Sequence, residues 1–153
     1  MKKTSVYFFV FIIGVSVCFF SCKKYPDGPS FSLETKKARL CNSWKLASYL
    51  YNGADSTASA KNSYLNNYVL IITKSGDYSF SYNQARRGFS FSFDESGKWT
   101  FSDSKKDVTF TKASGSTTAD VGSTSTWQIL RLKEKELWVK YALDNNVIEM
   151  HLN

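Results

Sequence analysis

Apolar and polar residues alternate with a period of two along much of the chain after residue 43. Between residues 77 and 83, and again between 89 and 93, aromatic side chains occupy every second position and serine, aspartate or asparagine fills the others. Successive side chains of a β-strand point to opposite faces of its sheet, so the pattern predicts half-buried antiparallel strands. The predicted strands cover residues 43–52, 66–74, 77–83, 88–94, 97–102, 106–112, 126–133, 136–143 and 146–152.

Short polar segments separate most of these strands and predict tight hairpin turns. They lie at residues 74–77, 94–97, 133–135 and 144–146 and are rich in glycine, asparagine, aspartate and lysine. Strands joined in this way form an up-and-down antiparallel meander. We therefore predict an all-β fold, a barrel of eight to nine strands whose closure removes exposed sheet edges.

Two longer connections and one helix complete the predicted domain. The connections cover residues 53–67 and 113–125, and the second is almost entirely small and polar. Such a segment buries too little apolar surface to hold one conformation. Residues 34–42 form the only predicted helix, with Ser32 as its N-cap.

The first 24 residues have the pattern of an export signal. Lys2 and Lys3 precede an apolar run over residues 6–20, and Cys22 follows a small residue. The run has 15 residues, whereas a membrane-spanning helix, the alternative interpretation, needs roughly 20. The sequence Phe19-Phe20-Ser21-Cys22 resembles the bacterial lipobox, with phenylalanine where leucine and alanine are commoner.

This resemblance implies cleavage before Cys22 and acylation of its thiol. We predict a signal peptide over residues 1–21, a lipidated tether over 22–33 and the barrel domain over 34–153. Several acyl chains on one cysteine hold a protein firmly at a membrane. Lysine at position 23, directly after the cysteine, resembles the sequence of lipoproteins sent to the outer membrane. We expect the domain to face the periplasm rather than the cell surface, since surface-exposed lipoproteins of similar bacteria usually carry acidic residues soon after the cysteine.

The start of the first strand carries a second resemblance. Asn42-Ser43-Trp44 follows the predicted helix and resembles the Gly-x-Trp motif of lipocalins, with Asn42 at the glycine position. The wider arrangement is similar to lipocalin-like lipoproteins of Bacteroidota-type bacteria. The likeness is carried by residues 22–25, 28–29, 40–44, 52–53, 97–99 and 127–138. It implies an eight-stranded calyx with a ligand mouth, closed at its base by Trp44 as a structural residue.

Charge and cysteine content restrict the partners. The formal net charge is +7, but the basic residues are scattered and two of them belong to the signal, so we expect no nucleic-acid partner. Of the three cysteines, Cys18 leaves with the signal and Cys22 carries lipid. Cys41 then remains as the only free cysteine, which excludes an internal disulfide. We expect Cys41 to be buried as a small apolar side chain.

The sequence contains no recognisable catalytic or metal-binding pattern. His151 is the only histidine and lies on the last predicted strand. We therefore interpret it as an exposed strand residue rather than a catalytic base or a metal ligand. Asp94 and Glu95 are explained by a hairpin turn. We expect no enzymatic activity, metal or cofactor.

A set of aromatic residues occupies the alternate strand positions that point into the barrel, which we call the inward phase. This set is the candidate ligand site. The set comprises Tyr78, Phe80, Tyr82, Phe89, Phe91, Phe93, Trp99, Phe101 and Phe110. An eight-stranded barrel is wide enough either to be filled by side chains or to hold one small ligand. The two resulting hypotheses are a membrane-anchored lipoprotein that binds a small apolar or amphipathic molecule, and a structural or interaction module of the cell envelope with a filled core.

One modification is also predicted. Asp55-Ser56-Thr57 resembles the acceptor sequence for protein O-glycosylation in the same bacteria, with Ser56 as the attachment site.

Overall fold

The computed structural model describes residues 33–117 and 120–153. The predicted signal peptide and the lipidation site Cys22 lie outside the described residues, as does all of the tether except Leu33. Among the described residues, no helix combines the length and the apolar character needed to cross a membrane.

Nine strands and two short helical segments make up the described part of the chain. The helical segments are α1 (Lys36–Leu40) and α2 (Thr57–Ser59), the latter continued by a π-helical turn (Ala60–Tyr64). The strands are β1 (Ser43–Tyr51), β2 (Ala54–Asp55), β3 (Asn66–Ile72), β4 (Asp77–Arg86), β5 (Phe89–Phe101), β6 (Asp107–Gly115), β7 (Thr124–Leu132), β8 (Leu137–Leu143) and β9 (Asn146–Leu152).

Eight of the strands close into an antiparallel barrel. From β3 to β9 each strand pairs with the next in sequence, and β1 pairs with both β3 and β9. Leu46 of β1, for example, lies opposite Leu152 of β9. The two-residue strand β2 adds to the end of β1. The predicted all-β barrel of eight to nine strands is confirmed.

The segment 94–97 is part of a strand, so the hairpin turn predicted there was wrong. β5 runs without interruption along β4, with Ser81 opposite Asp94 and Tyr78 opposite Gly97. Gly97 is required by close packing, because a Cβ atom there would lie 2.0 Å from the carbonyl oxygen of Thr111 on β6. A glycine in a strand interior often marks such a close approach rather than a turn.

The turn between β4 and β5 lies instead at Arg87 and Gly88. Both residues have positive φ, 51° and 82°. Two consecutive positive φ angles are typical of the two-residue hairpin turn that matches strand twist. β4 and β5 are therefore longer than predicted.

The helices also differ from the predicted ones. α1 begins after Thr35, whose hydroxyl accepts a hydrogen bond from the backbone N–H of Ala38 at 3.1 Å, so Thr35 rather than Ser32 is the N-cap. The helical segment from Thr57 to Tyr64 was not predicted. Its Ala60 is fully buried, and the ring of Tyr64 packs edge-on against Tyr49 of β1 at 5.7 Å. This segment therefore covers part of one end of the barrel.

Residues 113–117 and 120–125 have more regular structure than the sequence indicated. β6 extends to Gly115 and β7 begins at Thr124, and the described residues between them make backbone hydrogen bonds. The N–H of Ser116 donates to the carbonyl of Asp94 at 2.9 Å, and that of Gly122 donates to Lys112 at 2.8 Å. A strand ladder is held by main-chain bonds, so small polar side chains do not prevent its extension. Thr118 and Ala119 lie outside the described residues.

The end of the barrel near α1 is closed and tightly filled. Trp44 is fully buried there, and its indole N–H donates to the carbonyl of Leu40 at 2.9 Å. The guanidinium of Arg39 donates to the carbonyl of Leu132 at 2.9 Å, which ties α1 to β7. The opposite end, where β4 meets β5 and β8 meets β9, is the mouth.

Candidate functional site

The barrel interior contains space between its filled base and its mouth. Two neighbouring cavities occur, which we call the inner chamber, about 180 Å³, and the outer chamber, about 380 Å³. The side chains of Phe80, Trp127 and Tyr141 line both. The outer chamber reaches Leu143 at the mouth and is covered on one side by Tyr64 of the π-helical turn.

A continuous series of aromatic rings surrounds the inner chamber. Tyr78 of β4 packs edge-on against Phe110 of β6 at 4.8 Å, and Phe110 packs in the same way against Trp127 of β7 at 4.9 Å. Trp127 then stacks in parallel on Tyr141 of β8 at 4.9 Å. The indole N–H of Trp127 is satisfied by the hydroxyl of Ser125 at 2.9 Å. These contacts join the rings into one wall beside the chamber.

Glu95 of β5 is a carboxylate on the wall of the inner chamber. It lies opposite Phe80 in the register of β4 and β5, and its side chain is 22% exposed. The hydroxyl of Tyr78 donates a hydrogen bond to its Oε1 at 2.6 Å. Burial, together with this bond and the negative charge of Glu95, raises the pKa of Tyr78, so its hydroxyl remains a donor.

Lys112 is a buried cation beside this carboxylate. Alternation along β6 places it on the same face as Phe110, and its side chain is 5% exposed. Its Nζ donates to Asp120 Oδ1 at 2.7 Å and to the hydroxyl of Thr117 at 3.0 Å, whereas Glu95 Oε2 lies 3.9 Å away. The bond from Lys112 lowers the pKa of Asp120. Lys112 is therefore mainly committed to the loop after β6.

Tyrosine hydroxyls characterise the outer chamber. Its walls include Tyr49, Tyr64, Tyr68, Tyr82 and Tyr141. Burial and the neighbouring Tyr64 raise the pKa of Tyr49 to about 12, and burial raises the pKa of Tyr68 and Tyr141 as well. Tyr49, Tyr68 and Tyr141 therefore stay neutral at ordinary pH, and each combines an apolar ring with a group that can donate or accept a hydrogen bond.

Four of the nine aromatic residues predicted as a ligand site lie on chamber walls. These are Tyr78, Phe80, Tyr82 and Phe110. Trp99 and Phe101 contact each other near the closed end, where the indole N–H of Trp99 donates to the carbonyl of Thr73 at 2.9 Å.

The other three belong to the outer part of the β4–β5 hairpin. Phe93 stacks on Tyr82 at 5.2 Å, but Phe91 and Phe89 are 50% and 70% exposed. They have the inward phase, yet the hairpin is long enough that its tip lies largely in solvent. An inward-pointing position in a strand was therefore not enough to predict which residues contact a cavity.

Sequence reasoning missed Glu95, Lys112, Trp127 and Tyr141. Glu95 was assigned to a turn, although it has the same odd-numbered phase as Phe91, Phe93 and Trp99. Lys112 likewise has the phase of Phe110. A charged residue at an inward position of an otherwise aromatic strand was the available signal.

The remaining predicted positions lie away from the chambers. The ring of His151 stacks on Trp138 at 4.0 Å, and its Nε2 lies 2.7 Å from Glu149 Oε1. Cys41 is half-buried against the core, and burial raises the pKa of its thiol. Ser56 is half-buried at the start of α2, and its O-glycosylation stays a prediction. Within residues 33–117 and 120–153, no cluster of histidine, cysteine, aspartate and glutamate could hold a metal ion.

Comparisons with known proteins give a likeness in structure but none in sequence. No protein-family model matches the chain, and no curated protein matches its sequence. Among solved structures, a lipocalin-like protein from Bacteroides uniformis is similar, with a TM-score of 0.49 and 11% identity over 75% of this chain and 97% of that chain. Functional arguments for this chain rest on its own residues.

Proposed function

We propose that this chain is a membrane-anchored lipoprotein whose barrel binds, and does not chemically convert, a small amphipathic molecule. The observation that supports binding is the space left between the aromatic walls, about 180 Å³ in the inner chamber and about 380 Å³ in the outer one. Ligand sites are typically concave and mostly apolar, with a few polar groups that orient the ligand. Aromatic walls, one carboxylate and a set of tyrosine hydroxyls meet this description.

The anchor is proposed from the sequence. The lipobox-like segment ending at Cys22 supports lipidation, and Lys23 supports the outer membrane with the domain on its periplasmic face. The eleven residues from Cys22 to Ser32 could extend over roughly 35 Å at about 3.3 Å per residue. Such a tether leaves the barrel free to turn its mouth away from the bilayer.

An apolar probe tests the binding proposal. The purified full-length chain should bind neutral N-phenyl-1-naphthylamine at about one molecule per chain, and long-chain amphiphiles should displace it. Calorimetry should show a negative heat-capacity change because apolar surface is buried. Phe80→Ala, on the wall of both chambers, should change the affinity, whereas Phe91→Ala on the exposed hairpin tip should leave it unaltered.

The alternative is an interaction module of the cell envelope. The exposed rings of Phe89 and Phe91 at the tip of the β4–β5 hairpin favour it, because large apolar groups in solvent often mark contact surfaces. In that case the wild-type protein would not bind the probe, and Phe80→Ala would create binding by opening an apolar cavity.

A further inference from the structure

The inner chamber combines aromatic walls with a single carboxylate. Among the described residues that line either chamber, Glu95 is the only charged one. The rings of Tyr78, Phe80, Phe110, Trp127 and Tyr141 form the rest of the wall together with Leu70 and Ser125. The face of an aromatic ring carries partial negative charge and attracts cations, and several such rings around one site recognise methylated ammonium groups.

The charges beside the chamber are unbalanced. Lys112 is held at 2.7 Å by Asp120 and at 3.0 Å by Thr117, but it lies 3.9 Å from Glu95. Lys112 also forms this longer ion pair with Glu95, so one lysine serves two carboxylates, of which Glu95 is the more buried, and the cluster carries one excess negative charge. A carboxylate removed from water is costly unless an opposite charge compensates it. A monovalent cation in the chamber would supply that charge.

The orientation of Lys112 argues against an anionic ligand in the same place. Of the three N–H groups of Nζ, two donate to Thr117 and Asp120, and Glu95 at 3.9 Å is a further acceptor beside it, so an anion would compete with a carboxylate for the third. Lys112 does not belong to the wall of either chamber, whereas Glu95 does. A carboxylate headgroup entering the inner chamber would therefore meet Glu95 first.

The size of the chamber also suits a small cationic group. Its volume is about 180 Å³. An apolar cavity of about 150 Å³ in another protein holds a benzene molecule. A trimethylammonium group is similar in size to benzene, so the chamber can hold it.

From these observations we propose that the inner chamber binds the ammonium group of a cationic amphiphile, with Glu95 as its counter-ion and the aromatic rings as its walls. The apolar part of the ligand occupies the outer chamber, where tyrosine hydroxyls contact any polar substituent. This inference rests on the proposed binding function and specifies its ligand class.

Two isosteric probes separate charge from shape. Benzyltrimethylammonium carries a quaternary nitrogen, and neopentylbenzene has a carbon atom in its place with the same outline. The purified full-length wild-type chain should bind the cation at least about tenfold more tightly than the neutral isostere. Tryptophan fluorescence or calorimetry measures both, because Trp127 lies on the chamber wall.

Glu95→Gln is the informative variant, since glutamine keeps the shape and an acceptor for the hydroxyl of Tyr78. It should abolish the preference for the cation and leave binding of neopentylbenzene unchanged. Asp94→Asn is the matched control. Asp94 is the next residue along β5, is exposed and accepts a hydrogen bond from Ser116 at 2.6 Å, so its neutralisation should leave the preference intact.

The outcomes are distinct. Equal binding of both probes by the wild-type chain would overturn the cation site and leave the carrier function standing, and this comparison needs no folded variant. Preferential binding of dodecanoate that becomes tighter in Glu95→Gln would overturn it in favour of an anionic headgroup. Failure to bind either probe or N-phenyl-1-naphthylamine would overturn the carrier function, and this inference with it.

Discussion

Burial changes the pKa of several tyrosine residues toward the mouth of the barrel. Tyr49, Tyr68 and Tyr141 pack in or against the apolar core and line the outer chamber. Removal from water disfavours the ionised phenolate, so burial raises each pKa. The folded protein therefore holds these protons more tightly than the unfolded chain does.

Alkaline pH should destabilise the fold for this reason. The free energy of unfolding should be constant to about pH 9 and decline above the unfolded tyrosine pKa of about 10, because the unfolded chain then releases protons first. The contribution of Tyr49 should be lost as the pH rises toward its folded pKa of about 12. Urea denaturation at several pH values measures the decline.

Two variants test the assignment. Tyr49→Phe should reduce the decline, since it removes one of the shifted groups. Tyr51→Phe, two residues along the same strand but exposed, should not. A stability that stays flat from pH 8 to 12 in the wild-type protein would contradict the burial of the tyrosines.

Trp44 shows the other use of a large aromatic residue. It is fully buried at the closed end, and its indole N–H is satisfied by Leu40. It lies at the base of the barrel and is not among the residues that line either chamber. The aromatic residues that could contact a ligand lie nearer the mouth.

At the level of elements, the long pair β4–β5 positions the inner chamber. It aligns Phe80 opposite Glu95 and Tyr78 opposite Gly97, which brings the carboxylate next to the hydroxyl that binds it. Gly97 allows β6 to approach closely, and a bulge lies at this point between β5 and β6. Bulges reorient side chains and are common near functional sites.

Gly97→Ala should therefore destabilise the barrel strongly. The added Cβ atom would lie 2.0 Å from the carbonyl oxygen of Thr111 and 2.9 Å from the ring of Tyr78. The backbone must shift to relieve this overlap, and we expect a loss of about 1–3 kcal/mol or more in urea denaturation. Thr100→Ala, on the exposed face of the same strand, is the control and should cost well under 1 kcal/mol. A Gly97→Ala protein as stable as the control would contradict the register of β5 and β6.

At the scale of the whole molecule, the barrel is closed at one end and open at the other. α1 and Trp44 close the end at which the described chain begins, and the chambers lie toward the opposite end. β1 pairs with β3 only over Ser43–Lys45 and pairs with β9 from Leu46 to Tyr51. The π-helical turn contacts β3 and β4. The described chain therefore begins on the side remote from the mouth.

Lipidation at Cys22 is the prediction that concerns the molecule in its cell. Cys22→Ala should no longer incorporate labelled palmitate and should no longer fractionate with membranes, because it lacks the acylated thiol. Cys41→Ala is the matched control and should retain both properties, since Cys41 is half-buried in the barrel. A Cys22→Ala protein that still labels and still pellets with membranes would exclude the proposed anchor.

The sequence by itself determined the strands and the class of fold. Period-two alternation is a local property that follows from the pleat of a β-strand, so residues 77–83 and 146–152 indicated their strands without any knowledge of neighbours. The inward phase of Tyr78, Phe80 and Phe110 could be inferred in the same way. Local chemistry misled the prediction at residues 94–97, because aspartate, serine and glycine favour turns whether or not a neighbouring strand extends past them.

Only the tertiary structure decided which inward residues line a cavity. That outcome depends on how far each strand extends and on which rings meet across the barrel, and these are contacts between residues distant in sequence. The length of the β4–β5 hairpin left Phe89 and Phe91 exposed, whereas pairing with β4 and β6 placed Glu95 beside Tyr78 and Lys112. Whether a set of aromatic residues fills a barrel or surrounds a chamber is a matter of packing in three dimensions, which no local pattern encodes.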